Sequence, residues 1–451
     1  MLKFGTDGVR GVANSELTPE LALALGRAAA RVLRGARFAV GRDTRRSGPL
    51  LEAALSAGLA AEGVDVASLG VVPTPAVAWW SDTEAAPAAM VSASHNPFGD
   101  NGIKLFSAGG RKLADDVEEA LEAELARLLA EGPNGGGAAR TGAGVGAVTP
   151  AVGALDGYAA SVAASLAGRR LDGLSAVVDC AHGSASVVAP GVLRDLGVEV
   201  EVLHAEPDGT NINAGCGSTH PDALAAAVMS RGADVGIAFD GDADRVLLVD
   251  EAGALVDGDQ IIALCALDRH DRGVLPGDAV VVTVMTNLGF RLAMEKSGIE
   301  VVETAVGDRY VLEALESRGL ALGGEQSGHV IFRDLATTGD GLLTAVQALD
   351  VVVRSGWPLA ALAGEAMTRL PQVLRNVRVR ERDPAILRGL APVLAAVEAR
   401  LGSSGRVLLR PSGTEPLIRI MAEAPTEAEA DAAVSELVAE AERLAGGPRR
   451  G

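Results

Sequence analysis

The chain has 451 residues, of which 48% are hydrophobic and only 3% aromatic, and its formal net charge is −19. A chain this long divides into several domains, about three or four at roughly 150 residues each, with cores built mainly from Ala, Val and Leu. So acidic a field repels nucleic acid and anionic membrane surfaces, which excludes both as general partners; an anionic ligand would need positive charge gathered locally.

The cysteines, Cys180, Cys216 and Cys265, are dispersed and odd in number. They show no metal-ligand spacing and no disulfide framework, which fits a reducing compartment and buried apolar thiols. The sequence opens without a hydrophobic signal core and contains no uncharged apolar run on the order of 18 residues, so the expected location is cytoplasmic. Basic residues are nearly all Arg, with Lys only at 3, 104, 112 and 296. Lys104 draws notice because an ammonium, unlike a guanidinium, can exchange its proton.

In chain order, a strand at 37–40 is followed by Leu50, Leu51, Ala54, Leu55 and Leu59 at helical spacing, a strand at 64–67 and an acidic amphipathic helix over 115–129. This βαβ rhythm predicts a largely parallel sheet. Within it, Ala88-Ala89-Met90-Val91 reads as a buried strand. It leads into Ser92-Ala93-Ser94-His95-Asn96-Pro97-Phe98-Gly99-Asp100-Asn101-Gly102-Ile103-Lys104, whose Asn-Pro, Gly-Asp and Asn-Gly pairs predict a long turn. Residues 131–146, rich in Gly and Ala without a period, read as a surface loop or linker.

A second unit alternates helices at 158–166, up to 196, and at 221–230 with strands at 176–180, 198–203 and 234–239. A third repeats the rhythm, with helices at 261–267, 288–297, 309–317 and 340–353 and strands at 279–284, 299–304 and 321–325. The last unit, with an alternating stretch at 376–380, helices at 384–401 and 427–444 and strands at 406–409 and 417–421, is a small α+β domain. The expected fold class is α/β: three successive domains with mixed or parallel sheets, 1–150, 151–252 and 253–370, and a C-terminal α+β domain, 371–451.

Each of the first three units ends a strand in a polar loop, at 94–104, 240–245 and 325–329. Ser94, at a strand end where α/β sheets carry their sites, suits a nucleophile, a phosphate carrier or a simple turn former. Asp240-Gly241-Asp242-Ala243-Asp244-Arg245 puts three carboxylates at alternate positions. Such anions raise one another's pKa unless a cation joins them, so a hard divalent ion is the natural partner and a solvated acidic turn the alternative. Glu251 stands where a calcium loop has its last ligand, but Arg245 occupies the place that needs Gly and Val246-Leu247-Leu248-Val249 reads as a strand. Room left for a phosphoryl oxygen favours Mg²⁺.

Arg410-Pro411-Ser412-Gly413-Thr414-Glu415-Pro416, with Arg419 beyond, combines guanidinium groups, hydroxyls and a tight backbone, which suits a phosphate dianion as well as an ordinary hairpin turn. Gly324-Glu325-Gln326-Ser327-Gly328-His329 mixes donors and acceptors suited to sugar hydroxyls, with Glu325 and Ser327 as contacts and His329 as a proton carrier or a structural imidazole. Arg10, in Gly5-Thr6-Asp7-Gly8-Val9-Arg10-Gly11, is a phosphate contact or part of a turn. A phosphoserine carries about −1.5 to −2 charge and needs a cation and basic groups nearby. An exposed serine, a metal cluster, a sugar-contact loop and a separate phosphate cradle together describe phosphoryl transfer on a phosphorylated sugar.

These motifs, in this order along essentially the whole chain, resemble the α-D-phosphohexomutases. The resemblance is strongest to the bacterial branch acting on glucosamine phosphate, through residues 4–11, Gly102-Ile103-Lys104 and Gln326, where the phosphomannomutase/phosphoglucomutase branch usually has Met; that branch is the alternative. The resemblance implies four domains around a central cleft and a resting enzyme phosphorylated on Ser94, with one Mg²⁺ held by Ser94, Asp240, Asp242 and Asp244. It implies interconversion of glucosamine 6-phosphate and glucosamine 1-phosphate through glucosamine 1,6-bisphosphate, feeding UDP-N-acetylglucosamine and cell-wall synthesis.

It further implies that Glu325 and Ser327 contact the sugar and that Arg410, Ser412, Gly413, Thr414 and Arg419 hold the phosphate that is not reacting. Lys104, Arg10, Arg245 and His329 are the candidates for proton handling and charge stabilisation. The partner is a small sugar phosphate, with neither nucleic acid nor membrane, and the chain a monomer or homodimer. Residues 133–154 depart from the pattern expected at the first domain junction. Two rivals remain: an aspartyl-phosphate phosphatase or transferase with Asp240 as nucleophile, and a sugar-phosphate-sensing protein without turnover.

Overall fold

The computed structural model of the chain describes residues 8–132, 140–379, 384–411 and 417–445. They form two compact units, one of residues 1–285 with 298–366 and one of 286–297 with 367–451. The first unit holds three sheets. In the first sheet Arg37–Arg42 is central, parallel to Asp65–Val71 on one side and to Ala88–Val91 on the other. Asp100–Ser107 lies antiparallel between Ala88–Val91 and Val9–Val12. The second sheet runs Leu255–Val256, Val246–Asp250, Val235–Phe239, Ser175–Asp179, Glu199–Leu203, and the third Glu300–Thr304, Ala279–Thr283, Leu322–Gly324, Val330–Phe332. Each is mixed, with parallel strands completed by an antiparallel edge. The second unit carries one antiparallel sheet, Gln372–Arg378, Leu417–Glu423, Arg406–Pro411, with the helices Pro384–Leu401 and Glu427–Leu444. The α/β class with a C-terminal α+β sheet is therefore observed.

The cores are aliphatic, as the composition requires. Behind the first sheet, Leu25, Ala28, Leu51, Leu55 and Leu59 from two helices close over Val40, Ala89 and Val91. Those helices, Pro19–Leu33 and Gly48–Ala61, approach closely because Gly26 faces the carbonyl of Leu55 and Gly58 that of Leu23, where a Cβ would fall 2.2 Å from either oxygen. Burial of such side chains contributes about 1.5–3 kcal/mol each.

Three features differ from the sequence reading. The stretch read as a turn through Lys104 becomes strand at Asp100; its polar residues are satisfied inside the sheet, Asn101 donating to Ser47 Oγ (2.9 Å) while its Oδ1 accepts from the amide of Gly102 (2.8 Å). Beyond the Gly-rich segment, Val148–Pro150 pairs in parallel with Asp65–Val71. A helix, Leu359–Ala366, follows the one that closes the third unit. Among the described residues no helix is long and apolar enough to cross a membrane.

Candidate active site

The buried strand Ala88–Val91 delivers the chain into a turn at Ser92, and Ser94 there adopts a left-handed conformation (φ 52°), unusual for a residue with a Cβ. The loop is held from below by a residue the sequence reading passed over. Arg45 is fully buried, pairs with Asp43 (Nε to Oδ2 2.8 Å) and donates to the carbonyls of Ser94 (2.8 Å), Asn96 (2.8 Å), Asp100 (3.0 Å) and Pro97. Asn213 Nδ2 donates to the same Ser94 and Asn96 carbonyls (2.9 and 3.1 Å). Ser92 Oγ donates to Asp43 Oδ2 and accepts the amide of Ser94. The only sequence signal for Arg45 was its place just beyond a strand's carboxyl end.

The strand Val235–Phe239 ends at Asp240, and the turn that follows, with Ala243 at φ 55°, gathers the carboxylates of Asp240, Asp242 and Asp244 to within 4.8 Å of one another. Ser94 Oγ donates to Asp240 Oδ2 at 2.5 Å, so the first and second polar loops meet. Lys104 Nζ bonds Asp242 Oδ2 (2.8 Å) and Asp244 Oδ2 (3.1 Å). Thr74, also missed from the sequence, donates to Asp242 Oδ2 (2.7 Å) and to its carbonyl through the Thr74 amide.

The third loop closes on the same turn. Val246 donates its amide to the Gly328 carbonyl and Gly341 donates to that of Ala243. His329 is buried with Nδ1 3.8 Å from Asp244 Oδ1 and Nε2 3.5 Å from Asp308 Oδ2, and its ring lies flush on Gly339, where a Cβ would fall 2.3 to 2.5 Å from three ring atoms.

Burial first, then repulsion from Asp242 and Asp244, pushes the Asp240 carboxyl well above the usual range. Burial acts likewise on Asp242 and Asp244, but Lys104 outweighs it at both, helped by Thr74 at the first and by His329 and Arg245 at the second, and holds them below the usual value. Burial lowers His329, yet the negative charges of Asp244 and then Asp308 prevail and raise it. His95, with Nδ1 3.4 Å from Ser94 Oγ, is lowered by burial and then by Arg245 and Arg10, placing two guanidinium groups near the serine.

Ser94, Asp240, Asp242, Asp244, Lys104 and His329 therefore form one constellation, with Arg245 (amide to Asp240 Oδ1, 3.2 Å) and Arg10, paired opposite Gly102, at its edge. Glu325 and exposed Ser327 lie in the same turn as His329, and Glu325 Oε1 accepts the amide of Gly307 (3.0 Å). Arg410 and Arg419 are direct register partners on neighbouring strands of the second unit. Ser412, Gly413 and Thr414 lie outside the described residues. The triad fits a hard cation: the buried Oδ1 atoms of Asp242 and Asp244 have no hydrogen-bond partner, a costly state unless an ion takes it up.

Against known proteins, the four domains of the phosphoglucomutase/phosphomannomutase family match in order: the alpha/beta/alpha domains I, II and III at residues 1–131, 156–253 and 257–370, and the C-terminal domain at 374–441. The chain belongs to this family. Among its relatives is a phosphoglucosamine mutase of Frankia alni, 56% identical and covering 97% of both chains. Another from Moorella thermoacetica is 52% identical over 98% of this chain and 99% of its own. Among solved structures, a phosphoglucomutase/phosphomannomutase family protein of Burkholderia thailandensis superimposes with a TM-score of 0.81 at 27% identity, covering 99% of this chain and 98% of that one.

Proposed function

We propose that the chain is a phosphohexomutase, an isomerase, and that within this class it works as a phosphoglucosamine mutase on glucosamine 6-phosphate and glucosamine 1-phosphate. The observation that carries the chemistry is the hydrogen bond from Ser94 Oγ to a buried carboxylate triad in which Asp242 Oδ1 and Asp244 Oδ1 have no hydrogen-bond partner. The sugar preference rests on relatives of that name at more than half identity over nearly the whole chain.

In this reading Ser94 is the phosphate carrier, active once phosphorylated. The C1 hydroxyl oxygen of glucosamine 6-phosphate forms a bond to phosphorus and gives up its proton as the Ser94 Oγ–P bond breaks and Oγ takes up a proton. The resulting 1,6-bisphosphate then presents its C6 phosphate to Ser94, where Oγ loses its proton and bonds to phosphorus while the O6–P bond breaks and O6 takes up a proton. Asp240, Asp242 and Asp244 would hold Mg²⁺ together with the phosphoserine, and that ion would neutralise phosphoryl charge. Lys104 and His329, beside Asp244, and Arg10 and Arg245, beside His95, stabilise charge on the phosphoryl group, and of these the ammonium and the imidazole can also donate protons. Glu325 and Ser327 bind sugar hydroxyls, and Arg410, Ser412, Gly413, Thr414 and Arg419 cradle the distal phosphate, so that either end of the bisphosphate can reach one serine.

The product feeds UDP-N-acetylglucosamine synthesis, and the reaction is placed in the cytoplasm. An Asp240 nucleophile is disfavoured, because both carboxylate oxygens are engaged, Oδ2 accepting from Ser94 Oγ and Oδ1 from the Arg245 amide. Intact mass and peptide mapping test the carrier: acid-stable phosphate on Ser94 supports it, and hydroxylamine-labile phosphate on Asp240 overturns it. A coupled assay comparing glucosamine, glucose and mannose phosphates tests the sugar; faster turnover of the last two moves the assignment to the sister branch.

A further inference from the structure

A second cluster of ligating side chains lies behind the catalytic turn and plays no part in the chemistry above. Asp179 ends the strand Ser175–Asp179, His204 directly follows the neighbouring strand Glu199–Leu203, and Cys216 lies in the segment that returns beneath the Asp240 turn. One carboxylate oxygen, one imidazole nitrogen and the thiol sulfur stand within 4.8 Å of one another.

Asp179 Oδ2 is 3.0 Å from His204 Nδ1 but off the ring's hydrogen-bonding direction, so this buried nitrogen has no hydrogen-bond partner. The carboxylate is fixed by the backbone, with Oδ1 accepting from Ala181 (2.9 Å) and Oδ2 from Gly217 (2.9 Å). The His182 ring packs edge-on to His204 at 5.3 Å.

We propose that Asp179, His204 and Cys216 bind a zinc ion, with water in the fourth position. Oxygen, nitrogen and sulfur donors in one set suit this borderline ion, whereas magnesium and calcium take oxygen alone. Ligand atoms around a tetrahedral zinc stand roughly 3.3–3.8 Å apart, given bonds of about 2.0–2.3 Å, so a pair at the 4.8 Å limit needs to close by about 1–1.5 Å, while Asp179 Oδ2 and His204 Nδ1, at 3.0 Å, open slightly. His204, whose side chain is 29% exposed, gives the ion its way in. On binding, the Cys216 S–H bond breaks, a sulfur–zinc bond forms and the proton leaves to solvent.

A nucleophilic Cys–His–Asp triad fits these residues less well, since Cys216 is almost fully buried and burial pushes its thiol up to about 11. The ion would pin the segment carrying Asn213, whose side chain holds the Ser94 loop through two carbonyls.

Cobalt(II) provides a test with a readout other than turnover. The full-length protein, saturated with Mg²⁺, is titrated with CoCl₂ and followed by absorption. A thiolate-to-cobalt band in the near ultraviolet, with intense tetrahedral bands in the visible, is expected at one equivalent. The near-ultraviolet band should vanish in Cys216→Ser and in Cys216→Ala, weaken at least about tenfold in apparent affinity in His204→Gln, and persist in Asp242→Asn, which alters only the other cluster. Circular dichroism confirms that each variant is folded. Absence of the band from the parent protein, or its survival in both Cys216 variants, overturns the proposal. So does a zinc-induced rise in melting temperature that is equal in the parent and in His204→Gln.

Discussion

Replacing Arg45 by Met separates a positioning role from a merely structural one. The guanidinium pairs with buried Asp43 and gathers four loop carbonyls, that of Ser94 buried and the others partly so. Breaking a buried ion pair from one side costs about 3–5 kcal/mol. The carbonyls of Ser94 and Asn96 keep Asn213, and that of Pro97 keeps the amide of Asp100, which limits the further loss to about 1–3 kcal/mol. A total of about 4–8 kcal/mol is expected, a large part of an ordinary domain's stability of about 5–15 kcal/mol. Burial already raises Asp43 against the pull of Arg45, and removing Arg45 raises it further. A carboxyl raised in the folded state is a burden that grows as pH rises through its folded value and vanishes below its unfolded one. The deficit of R45M, taken against the parent at each pH, should therefore shrink on acidification, and D43N/R45M should recover about 1–3 kcal/mol over R45M at neutral pH. Urea unfolding measures both. With the Ser94 loop released, kcat of the folded R45M fraction should fall by about 100-fold or more while KM changes little. A loss below about 1 kcal/mol, or strict additivity with D43N, refutes the account.

How much of this was legible in the sequence depended on whether a residue's partner lay nearby in the chain. Ser94 and the Asp240 turn were readable because each sits at the end of an apolar strand and carries its chemistry in a few consecutive residues. The aliphatic cores followed from composition, and the three sheets from the alternation of strands and helices. Arg45 and Thr74 were not readable. Apart from Asp43, two residues before Arg45, their partners lie 49 to 168 positions away, and an Arg after a strand looks like any solvated charge until the carbonyls it faces are known. The strand at Asp100–Ser107 was hidden by Asp100, Asn101 and Gly102, turn-forming residues whose polar groups happen to be satisfied within the sheet. Lys104 was singled out for its rarity, its exchangeable proton and the resemblance it helps to carry, not for any partner. Its function as counter-ion to two aspartates comes from the strand that places it there.

Further outcomes follow from the same contacts. Lys104→Met leaves the buried carboxylates of Asp242 and Asp244 without their ammonium and should cost about 3–5 kcal/mol in chelator, with most of the loss recovered in millimolar Mg²⁺; equal losses in both media would contradict the triad as a cation site. Thr74→Val removes a hydroxyl donated to a charged carboxylate and should cost about 1.5–3 kcal/mol by urea unfolding, an effect under about 0.5 kcal/mol counting against it. Gly339→Ala drives a methyl into the His329 ring and should lower kcat at a stability cost of about 1–3 kcal/mol, whereas unchanged kcat would remove His329 from the chemistry. Asp340 gives a pH-dependent case. It caps the helix Gly341–Ser355 through the amide of Leu343 and accepts the Tyr158 hydroxyl at 2.9 Å, and burial raises its carboxyl to about 6 from an ordinary 3.8. Above pH 6 the group is ionised both folded and unfolded, and the fold bears up to about 3 kcal/mol for burying the charge. That burden fades as pH falls from 6 toward 4, where the folded group is neutral and the unfolded one is close to half protonated. Asn keeps the acceptor and never ionises, so Asp340→Asn should be the more stable protein at pH 8 by up to about 3 kcal/mol. The advantage should disappear near pH 4, since taking the difference at each pH cancels the other carboxylates. An advantage independent of pH would show that the substitution acts through packing, and a loss at pH 8 that the charged cap outweighs its burial.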